Sequence, residues 1–210
     1  MDSEQNSFFM LSSTPPLPRD FYSRETVTVA TELLGQVLVH SEAAGDTAGV
    51  IVETEAYLSS DPGSHASRGK TQRNSPMFAA PGTIYVYQIY GVHFCLNIVT
   101  RPAGIAEAIL IRAVEPITGL ELMKQRRGRQ ELKELTSGPA KLTAAMNIDL
   151  SLNWGDITVP PLYIVVGPAI GRPVAVTTRV GLPQNRGGDL PLRFCLADSE
   201  CLSRPINVHP

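Results

Sequence analysis

Two glutamates occupy a run of residues that otherwise has the composition of a buried strand. Residues 51–57 read Ile-Val-Glu-Thr-Glu-Ala-Tyr. Because strand side chains alternate between faces, Glu53, Glu55 and Tyr57 are predicted to share one face of a sheet. Burying a carboxylate is costly unless donors or cations pair with it. The pattern therefore predicts either a site built around the two carboxylates or an edge strand whose glutamates point to water.

Three tyrosines follow at Tyr85, Tyr87 and Tyr90. Alternation sends Tyr85 and Tyr87 to one face, and it places Tyr90 at the turn between two predicted strands. An exposed aromatic ring at such a turn can cap a local cluster. It can also act as a wedge that enters something soft, such as a stack of bases.

Asn97 and Arg112 are polar residues inside apolar strand-like runs, and Arg112 lies in the sequence Ala-Ile-Leu-Ile-Arg-Ala-Val. A charged side chain in such a strand needs an oppositely charged partner nearby. Glu53 and Glu55 are the available carboxylates. We therefore expect the arginine strand to lie close to the glutamate strand.

The remaining patterns predict an α+β fold with an antiparallel meander. A helix is expected from an N-cap at Ser23 to a C-cap at Gly35, and a turn at Gly45-Asp46 leads into the glutamate strand. The polar stretch 59–82 is a long loop, and loops of that length tend to be functional. The other predicted elements are strands at 36–40, 85–90, 94–100, 108–114, 163–166, 174–180 and 192–196, a helix from a Thr118/Glu121 capping box to about 127, and a helix opening at Ser137-Gly138-Pro139 with Leu142, Ala145 and Met146 on its buried stripe.

Length and composition predict one domain in a chain of 210 residues. Residues 19–210 contain no linker-like tract, whereas residues 1–18 are polar, contain prolines and are expected to form a flexible arm. Hydrophobic residues make up 43% of the chain and charged residues 18%, without an apolar run long enough to cross a bilayer. A membrane protein is therefore not expected, and the acidic N-terminus argues against secretion.

Charge and cysteine content restrict the function classes further. A formal net charge of -2 argues against a protein that coats nucleic acid by bulk electrostatics, although it permits a local basic face. Cys95, Cys195 and Cys201 include no C-x-x-C pair. We expect reduced, packed thiols in a cytosolic compartment.

Ten spaced motifs stand in order along the chain: GVIVETEAY at 49–57, SHASRG at 64–69, RN at 73–74, MF at 77–78, PGTIYVYQIYG at 81–91, CLN at 95–97, LIRAVEP at 110–116, SGPAKL at 137–142, RVG at 179–181 and PLRF at 191–194. Over roughly residues 16–197 this series resembles the alkyladenine (3-methyladenine) DNA glycosylase family. Many spaced matches in one order are far more specific than a single short motif. The family's fold, a single mixed α/β domain on a curved antiparallel sheet, agrees with the predicted meander.

The resemblance implies two catalytic residues. Glu55 matches the family's general base, which activates water against the anomeric carbon of the damaged nucleotide. Arg112 matches the residue that helps to hold that water and carboxylate. Two departures from the family pattern, Gln72 and Pro76, lie in the loop and concern base flipping rather than the chemistry.

The resemblance also implies five residues that bind the damaged DNA. Tyr57, His65 and Tyr87 match the residues that stack around the flipped base. Asn97 matches the side chain that crowds the 2-amino group of guanine, and Tyr90 matches the intercalating wedge. An enzyme that attacks the bond between base and sugar must extract the nucleotide and fill the gap, and these residue types suit both tasks.

The implied activity is that of a monofunctional N-glycosyl hydrolase in base-excision repair. Such an enzyme flips alkylated or deaminated purines (the class of 3-methyladenine, 7-methylguanine, hypoxanthine and ethenoadenine) from double-stranded DNA and leaves an abasic site. The resemblance implies neither cofactor nor metal. We expect a monomer that works on DNA inside the cell, in the cytoplasm and nucleoid or in the nucleus.

Two rival functions make different use of the same residues. A metal hydrolase or nuclease would use Glu53, Glu55, Asp61 and His65 as ligands, but none of the four histidines repeats at a ligand spacing. A non-catalytic DNA-binding module would use Glu55 only to pair with Arg112. It would bind damaged duplex without releasing a base.

Overall fold

A computed structural model describes residues 14–168 and 171–206. Within these ranges the chain builds one curled antiparallel sheet of eight strands with a few helices, so the predicted α+β class is confirmed. The strands run in the order β3-β4-β5-β2-β1-β6, while β8 pairs with both β2 and β7. They are β1 (Val37–His40), β2 (Thr47–Tyr57), β3 (Ile84–Ile89), β4 (His93–Thr100), β5 (Glu107–Thr118), β6 (Leu162–Val165), β7 (Val174–Thr177) and β8 (Arg193–Leu196).

Five short α-helices lie among the described residues: α1 (Arg19–Tyr22), α2 (Thr26–Glu32), α3 (Leu120–Arg127), α4 (Leu132–Leu135) and α5 (Pro139–Ala145). Single 3-10 turns occur at Ser75–Phe78, Leu150–Leu152 and Gln184–Arg186. The predicted buried stripe Leu142, Ala145 and Met146 is confirmed. No helix in the described ranges combines the length and apolar character needed to cross a bilayer.

Two predicted helix starts are wrong. Ser23 ends α1 rather than beginning a helix, because its Oγ donates 2.9 Å back to the Asp20 carbonyl. Helix α3 follows Gly119 without a side-chain cap, and Thr118 is the last residue of β5. Gly119 has a φ of +74°, and a Cβ there would lie 2.3 Å from the Asp46 carbonyl oxygen. The close approach of these two chains, rather than a capping box, therefore fixes the start of α3.

Strand β2 is the centre of the sheet. It pairs with β5 along one edge, and its other edge pairs first with β1 and then with β8. Every residue from 47 to 56 is buried, so the alternative of an edge strand with solvated glutamates is wrong. The register against β5 shifts on either side of Glu53, where the partner on the opposite edge changes from β1 to β8.

The two faces of β2 have different neighbours. The Thr54 hydroxyl donates 2.9 Å to the Ala30 carbonyl of α2, and Val52 belongs to the main apolar cluster with Ala30. The opposite face carries Glu55 and Tyr57, as alternation predicts. The helix side therefore supplies the core, and the other side is available for a site.

The N-terminal segment pairs with strand β6 at the edge of the sheet. Pro16 forms a bridge with Val165, and the Leu17 N–H donates 2.7 Å to the Ile164 carbonyl. The expectation of a flexible arm is therefore wrong at these positions, because they extend the sheet edge; residues 1–13 of that arm lie outside the described residues. The three cysteines are buried and unpaired, as predicted.

Replacing Gly49 by alanine should destabilise the fold. An added Cβ would lie 2.5 Å from Val114 Cγ2 and 2.9 Å from the Glu115 carbonyl oxygen, in the middle of the β2–β5 ladder. We expect a loss of roughly 1–3 kcal/mol, the usual cost of overpacking, in the free energy of unfolding measured with urea. Gly171→Ala is the control, since its Cβ would meet nothing within 4 Å. Equal midpoints for the two variants would contradict the predicted clash.

Candidate active site

Hydrogen-bond register places two predicted site residues, Glu55 and Asn97, in one row across four strands. Glu55 of β2 is paired with Leu110 of β5, Leu110 with Asn97 of β4, and Asn97 with Tyr85 of β3. Directly paired residues share a face, so the carboxylate, the amide and the aromatic rings all project to one side of the curled sheet. The tyrosine strand β3 is thus separated from the glutamate strand β2 by β4 and β5. The curl of the sheet shortens the distance between the side chains of these two strands.

Glu55 is completely buried. Its Oε1 accepts the Val180 backbone N–H at 2.7 Å, and its Oε2 accepts the Tyr57 hydroxyl at 2.8 Å. Arg112 Nη1 lies 3.3 Å from Oε2. These contacts supply hydrogen-bond partners to a carboxyl group that water cannot reach. The distance to Arg112 is longer than that of a close charge-assisted hydrogen bond.

Glu53 is the more completely paired carboxylate. Its Oε1 accepts from Arg112 Nε and Arg193 Nε, each at 2.8 Å, and from the Ser203 hydroxyl at 2.6 Å. Its Oε2 accepts the Ser203 N–H at 2.6 Å. Burial alone would raise the pKa of Glu53, but Arg112, Arg193 and Ser203 together hold it below the ordinary value.

Arg112 therefore contacts both glutamates, which confirms the predicted pairing of the arginine strand with the glutamate strand. Burial would lower the pKa of Arg112, whereas Glu55 and Glu53 raise it, and the net direction is upward. These shifts favour the charged forms of Glu53 and Arg112, and the guanidinium lies between the two carboxylates.

An aromatic pocket adjoins Glu55, and the cavity holds ≈ 20 Å³, about the room of one water molecule. The Tyr85 and Tyr87 ring centroids are 5.3 Å apart, and His65 meets Tyr87 edge-on with centroids 4.5 Å apart. The residues that line the pocket are Tyr57, His65, Met77, Tyr85, Tyr87, Asn97 and Ala108. Four of these were predicted to contact a base, and the structure brings all four together.

The walls of this pocket are uncharged. Burial, together with the nearby Arg73 and Arg186, lowers the pKa of His65 and so favours a neutral imidazole at pH 7. Burial likewise raises the pKa of Tyr87, and burial with the neighbouring Glu55 raises that of Tyr57. A cationic ligand would therefore meet electron-rich rings without a competing positive charge on the histidine.

Hydrogen bonds fix the pocket walls in place. Asn97 Nδ2 donates 3.1 Å to the Tyr85 carbonyl, which holds the amide at the pocket edge. In the long loop, the buried Asn74 donates through Nδ2 to the His65 carbonyl at 2.8 Å. The Arg179 guanidinium carbon lies 4.7 Å from the Tyr57 ring centroid, on a side chain that also pairs with Asp61.

Tyr90 lies apart from the pocket, at the tip of the β3–β4 hairpin. Its side chain is 90% exposed and its backbone has a φ of 50°, a left-handed conformation stabilised within the turn. Val92 beside it is 69% exposed. The prediction of an aromatic ring at the mouth of this turn is confirmed; its role as a wedge stays a prediction.

Several contributors to the site were not predicted. Tyr85 shares a face with Tyr87, so its alternation was a usable signal, but Met77 and Ala108 carry no polar feature that would mark them. Val180 contributes a backbone N–H, which any residue could supply. Ser203 contacts a glutamate 150 positions earlier in the chain.

The side chains considered for a metal site are engaged elsewhere. Glu53 is paired with two arginines, Asp61 Oδ1 accepts from Arg179 Nη2 at 2.9 Å, and His65 Nδ1 lies 3.0 Å from the Tyr85 hydroxyl. Across residues 14–168 and 171–206, no group of three or more histidine, cysteine, aspartate or glutamate residues is arranged to hold a metal ion.

Comparison with known proteins identifies the class. A family model described as methylpurine-DNA glycosylase matches residues 20–200. A protein of Carboxydothermus hydrogenoformans is 49% identical over 190 residues, which cover 90% of this chain and 98% of the relative. A protein of Methanoculleus marisnigri is 49% identical over 192 residues, with coverage of 90% and 98%. Both names include the words 3-methyladenine DNA glycosylase. The chain belongs to the methylpurine-DNA glycosylase family, as the motifs indicated.

Replacing Glu53 by glutamine should cost stability in a pH-dependent way. The pKa of Glu53 in the folded protein lies below 4.5, so its stabilising charge is fully present above that pH and is lost as the pH falls through the folded value. We expect a loss of about 3–5 kcal/mol at pH 7, because two arginines lose their shared partner.

The measurement is urea unfolding of Glu53→Gln and wild type between pH 7 and pH 3. The difference in unfolding free energy between them should narrow below pH 4.5, because the carboxylate of the unfolded wild-type chain takes up a proton there, whereas that of the folded protein does so only at lower pH. Glu121→Gln, which removes an exposed carboxylate paired with Lys124, should change little at any pH. If Glu53→Gln lowered the free energy of unfolding by the same amount at every pH from 7 to 3, the result would contradict an ionised Glu53.

Proposed function

We propose that this protein is a DNA-repair glycosylase that removes alkylated or deaminated purines, the class of 3-methyladenine, 7-methylguanine, hypoxanthine and ethenoadenine, from double-stranded DNA. The observation that carries the proposal is the buried Glu55 carboxylate beside an uncharged aromatic pocket. Family membership and the names of the relatives support DNA glycosylase activity. The geometry and chemistry described below support the proposed substrates and the proposed roles of individual residues.

Glu55 is the proposed general base. Its carboxylate accepts the proton of a water molecule as that water attacks the anomeric carbon, and the glycosidic electron pair leaves with the purine. The same negative charge stabilises the sugar cation that develops in the transition state, as carboxylates do in glycoside hydrolysis. Arg112 orients the carboxylate at 3.3 Å. A cationic alkylated purine is already a good leaving group, so this route needs no strong acid from the protein.

The aromatic pocket provides selectivity. Tyr57, His65 and Tyr87 present uncharged rings, which attract a positively charged purine. Asn97 is held at the pocket edge by Tyr85, where it would crowd the 2-amino group of guanine. A placed polar group of this kind discriminates against the commoner undamaged purine better than an apolar wall does.

The pocket must open to take a base. A purine stacked on both sides needs roughly 7 Å between its neighbours, twice the usual contact distance, whereas the His65 and Tyr87 centroids are 4.5 Å apart. Entry therefore requires the His65 and Tyr87 rings to separate. Extraction of the nucleotide itself costs a few kcal/mol, and Tyr90 is positioned to fill the vacated space in the duplex.

The same proposal covers the setting in which the enzyme works. Because the proposed substrate is double-stranded DNA, we propose that the enzyme acts inside the cell, in the cytoplasm and nucleoid or in the nucleus. One chain carries the base pocket, the carboxylate and the wedge, so we propose that it acts as a monomer. Residues 19–210 are proposed to form the single glycosylase domain.

Glu55→Gln should abolish base release while leaving binding to a damaged duplex nearly intact. The amide keeps the shape of the side chain but loses the base, so the single-turnover rate should fall by roughly 100-fold or more. Free purine released from a methylated duplex is the quantity to measure. Glu42→Gln, which removes a partly buried carboxylate paired with Arg126, is the control. Retention of much of the rate by Glu55→Gln would contradict the assignment, and wild-type binding without release would favour a binding module.

Tyr90→Ala should weaken binding and flipping by about 1–3 kcal/mol, the value of one base stacked on an aromatic ring. The loss should shrink when the lesion lies in a mismatch, because less pairing then opposes extraction. Affinity for paired and mismatched lesions is compared with that of Trp154→Ala, which removes another exposed aromatic side chain. Equal losses on both duplexes would mean that Tyr90 does not act as a wedge.

A further inference from the structure

The C-terminal segment contacts the glutamate cluster through residues that do not line the aromatic pocket. The Ser203 N–H donates 2.6 Å to Glu53 Oε2, and the Ser203 hydroxyl donates 2.6 Å to Glu53 Oε1. One residue later, the Arg204 carbonyl accepts from Arg193 Nη2 at 2.7 Å. Ser203 and Arg204 thus supply hydrogen-bond partners to Glu53 and Arg193, two buried side chains of the sheet.

The Ser203 hydroxyl also contacts the arginine of the site. It accepts from Arg112 Nη2 at 3.0 Å and lies 3.3 Å from Arg112 Nε. A serine hydroxyl has one proton to donate and two lone pairs to accept with. Ser203 can therefore donate to Glu53 and accept from Arg112 at the same time, which connects the two charges through one oxygen.

These contacts determine how Arg112 faces Glu55. Glu53 accepts from Nε and Ser203 accepts from Nη2, so one edge of the planar guanidinium is fixed. The remaining nitrogen, Nη1, points to Glu55 Oε2 at 3.3 Å. Because the guanidinium is rigid, fixing one edge also fixes the direction of Nη1.

Ser203 also lies beside residues that contact Glu55. It lines a groove of ≈ 390 Å³ together with Arg112, Lys141 and Val180, the residue whose N–H contacts Glu55. A serine that only fastened the C-terminal segment would need no place beside these groups. Ser203 also lies beyond residues 20–200, the part of the chain that matches the family model.

We propose that Ser203 is a positioning residue for catalysis, which acts through Arg112 to hold the guanidinium against Glu55. The proposal rests on the proposed glycosylase function and adds a residue from outside the matched region. Ser203 itself need not contact the substrate. Its removal should therefore affect the chemical step more than the binding of damaged DNA.

The test compares Ser203→Ala with Ser203→Thr on a methylated duplex. Alanine keeps the backbone N–H to Glu53 and removes only the hydroxyl. We expect the single-turnover rate of base release to fall about 10-fold to 100-fold, the order of loss caused by a small misplacement of catalytic groups. Affinity for the duplex should change less than threefold, roughly the noise of a conservative substitution. Threonine restores a hydroxyl and should recover most of the rate.

Ser199→Ala is the matched control. The Ser199 hydroxyl accepts the Cys201 N–H in the same C-terminal segment, on the side of Glu115. Equal loss of rate in Ser199→Ala and Ser203→Ala, or loss that threonine does not recover, would show a merely structural role and overturn the proposal. If Ser203→Ala does not fold, Ser203→Cys takes its place, because a thiol fills the site but donates and accepts weakly.

The wild-type protein in the same series separates the two proposals. If wild type and Ser203→Ala both release base at the full rate, the proposed role of Ser203 is overturned, while the proposed function stands. Absence of base release by wild type would overturn the proposed function, and the positioning role with it. A slow Ser203→Ala with intact binding and a recovered Ser203→Thr would support both.

Discussion

The structure depends on the burial of two carboxylates in one central strand. Glu53 and Glu55 are inaccessible to solvent, and a buried charge is tolerated only where other segments supply donors and countercharge. Those partners come from distant parts of the chain: Arg112 from β5, Arg193 from β8, the Val180 N–H, and Ser203 near the end of the described residues. The need to pair these charges therefore ties the meander, the last strand and the C-terminal segment to β2.

The two glutamates are paired to different degrees, and this difference suits them to different tasks. Glu53 receives close donors at both oxygens and two arginine side chains, so its charge is fixed. Glu55 receives the Val180 N–H and the Tyr57 hydroxyl, with the arginine at 3.3 Å. Placing two carboxylates in distinct environments is a common way for a protein to give one a structural role and the other a chemical one. In this arrangement Glu53 holds Arg112, and Arg112 faces Glu55.

The sequence was informative where a side chain broke the pattern of its strand. Alternation placed Glu55 with Tyr57 and Tyr85 with Tyr87, and the cost of an unpaired arginine in an apolar strand predicted the contact between Arg112 and the glutamates. The strands of the meander were predicted to within two or three residues of their observed bounds at most ends, because period-two alternation is unambiguous there.

Other features depend on tertiary contacts that local patterns do not encode. The helix predicted from Ser23 begins only at Thr26, because the serine hydroxyl bonds back to the turn of α1, and α3 starts at a glycine fixed by contact with Asp46. Strand β8 lies beside β2, and this pairing joins segments that are far apart in the sequence. The Val180 donor is a backbone group. Such contributions have no signature in residue type.

In the proposed mechanism, the Glu55 carboxylate and water suffice to break the glycosidic bond. The most direct measurement incubates wild-type protein with a methylated duplex in excess chelator, with borohydride added to a parallel reaction. Neither β2 nor the pocket wall contains a lysine that could form a Schiff base. We predict free purine, an intact strand that carries an abasic site, and no trapped protein–DNA adduct. Loss of release in chelator, or a borohydride-trapped adduct, would contradict it.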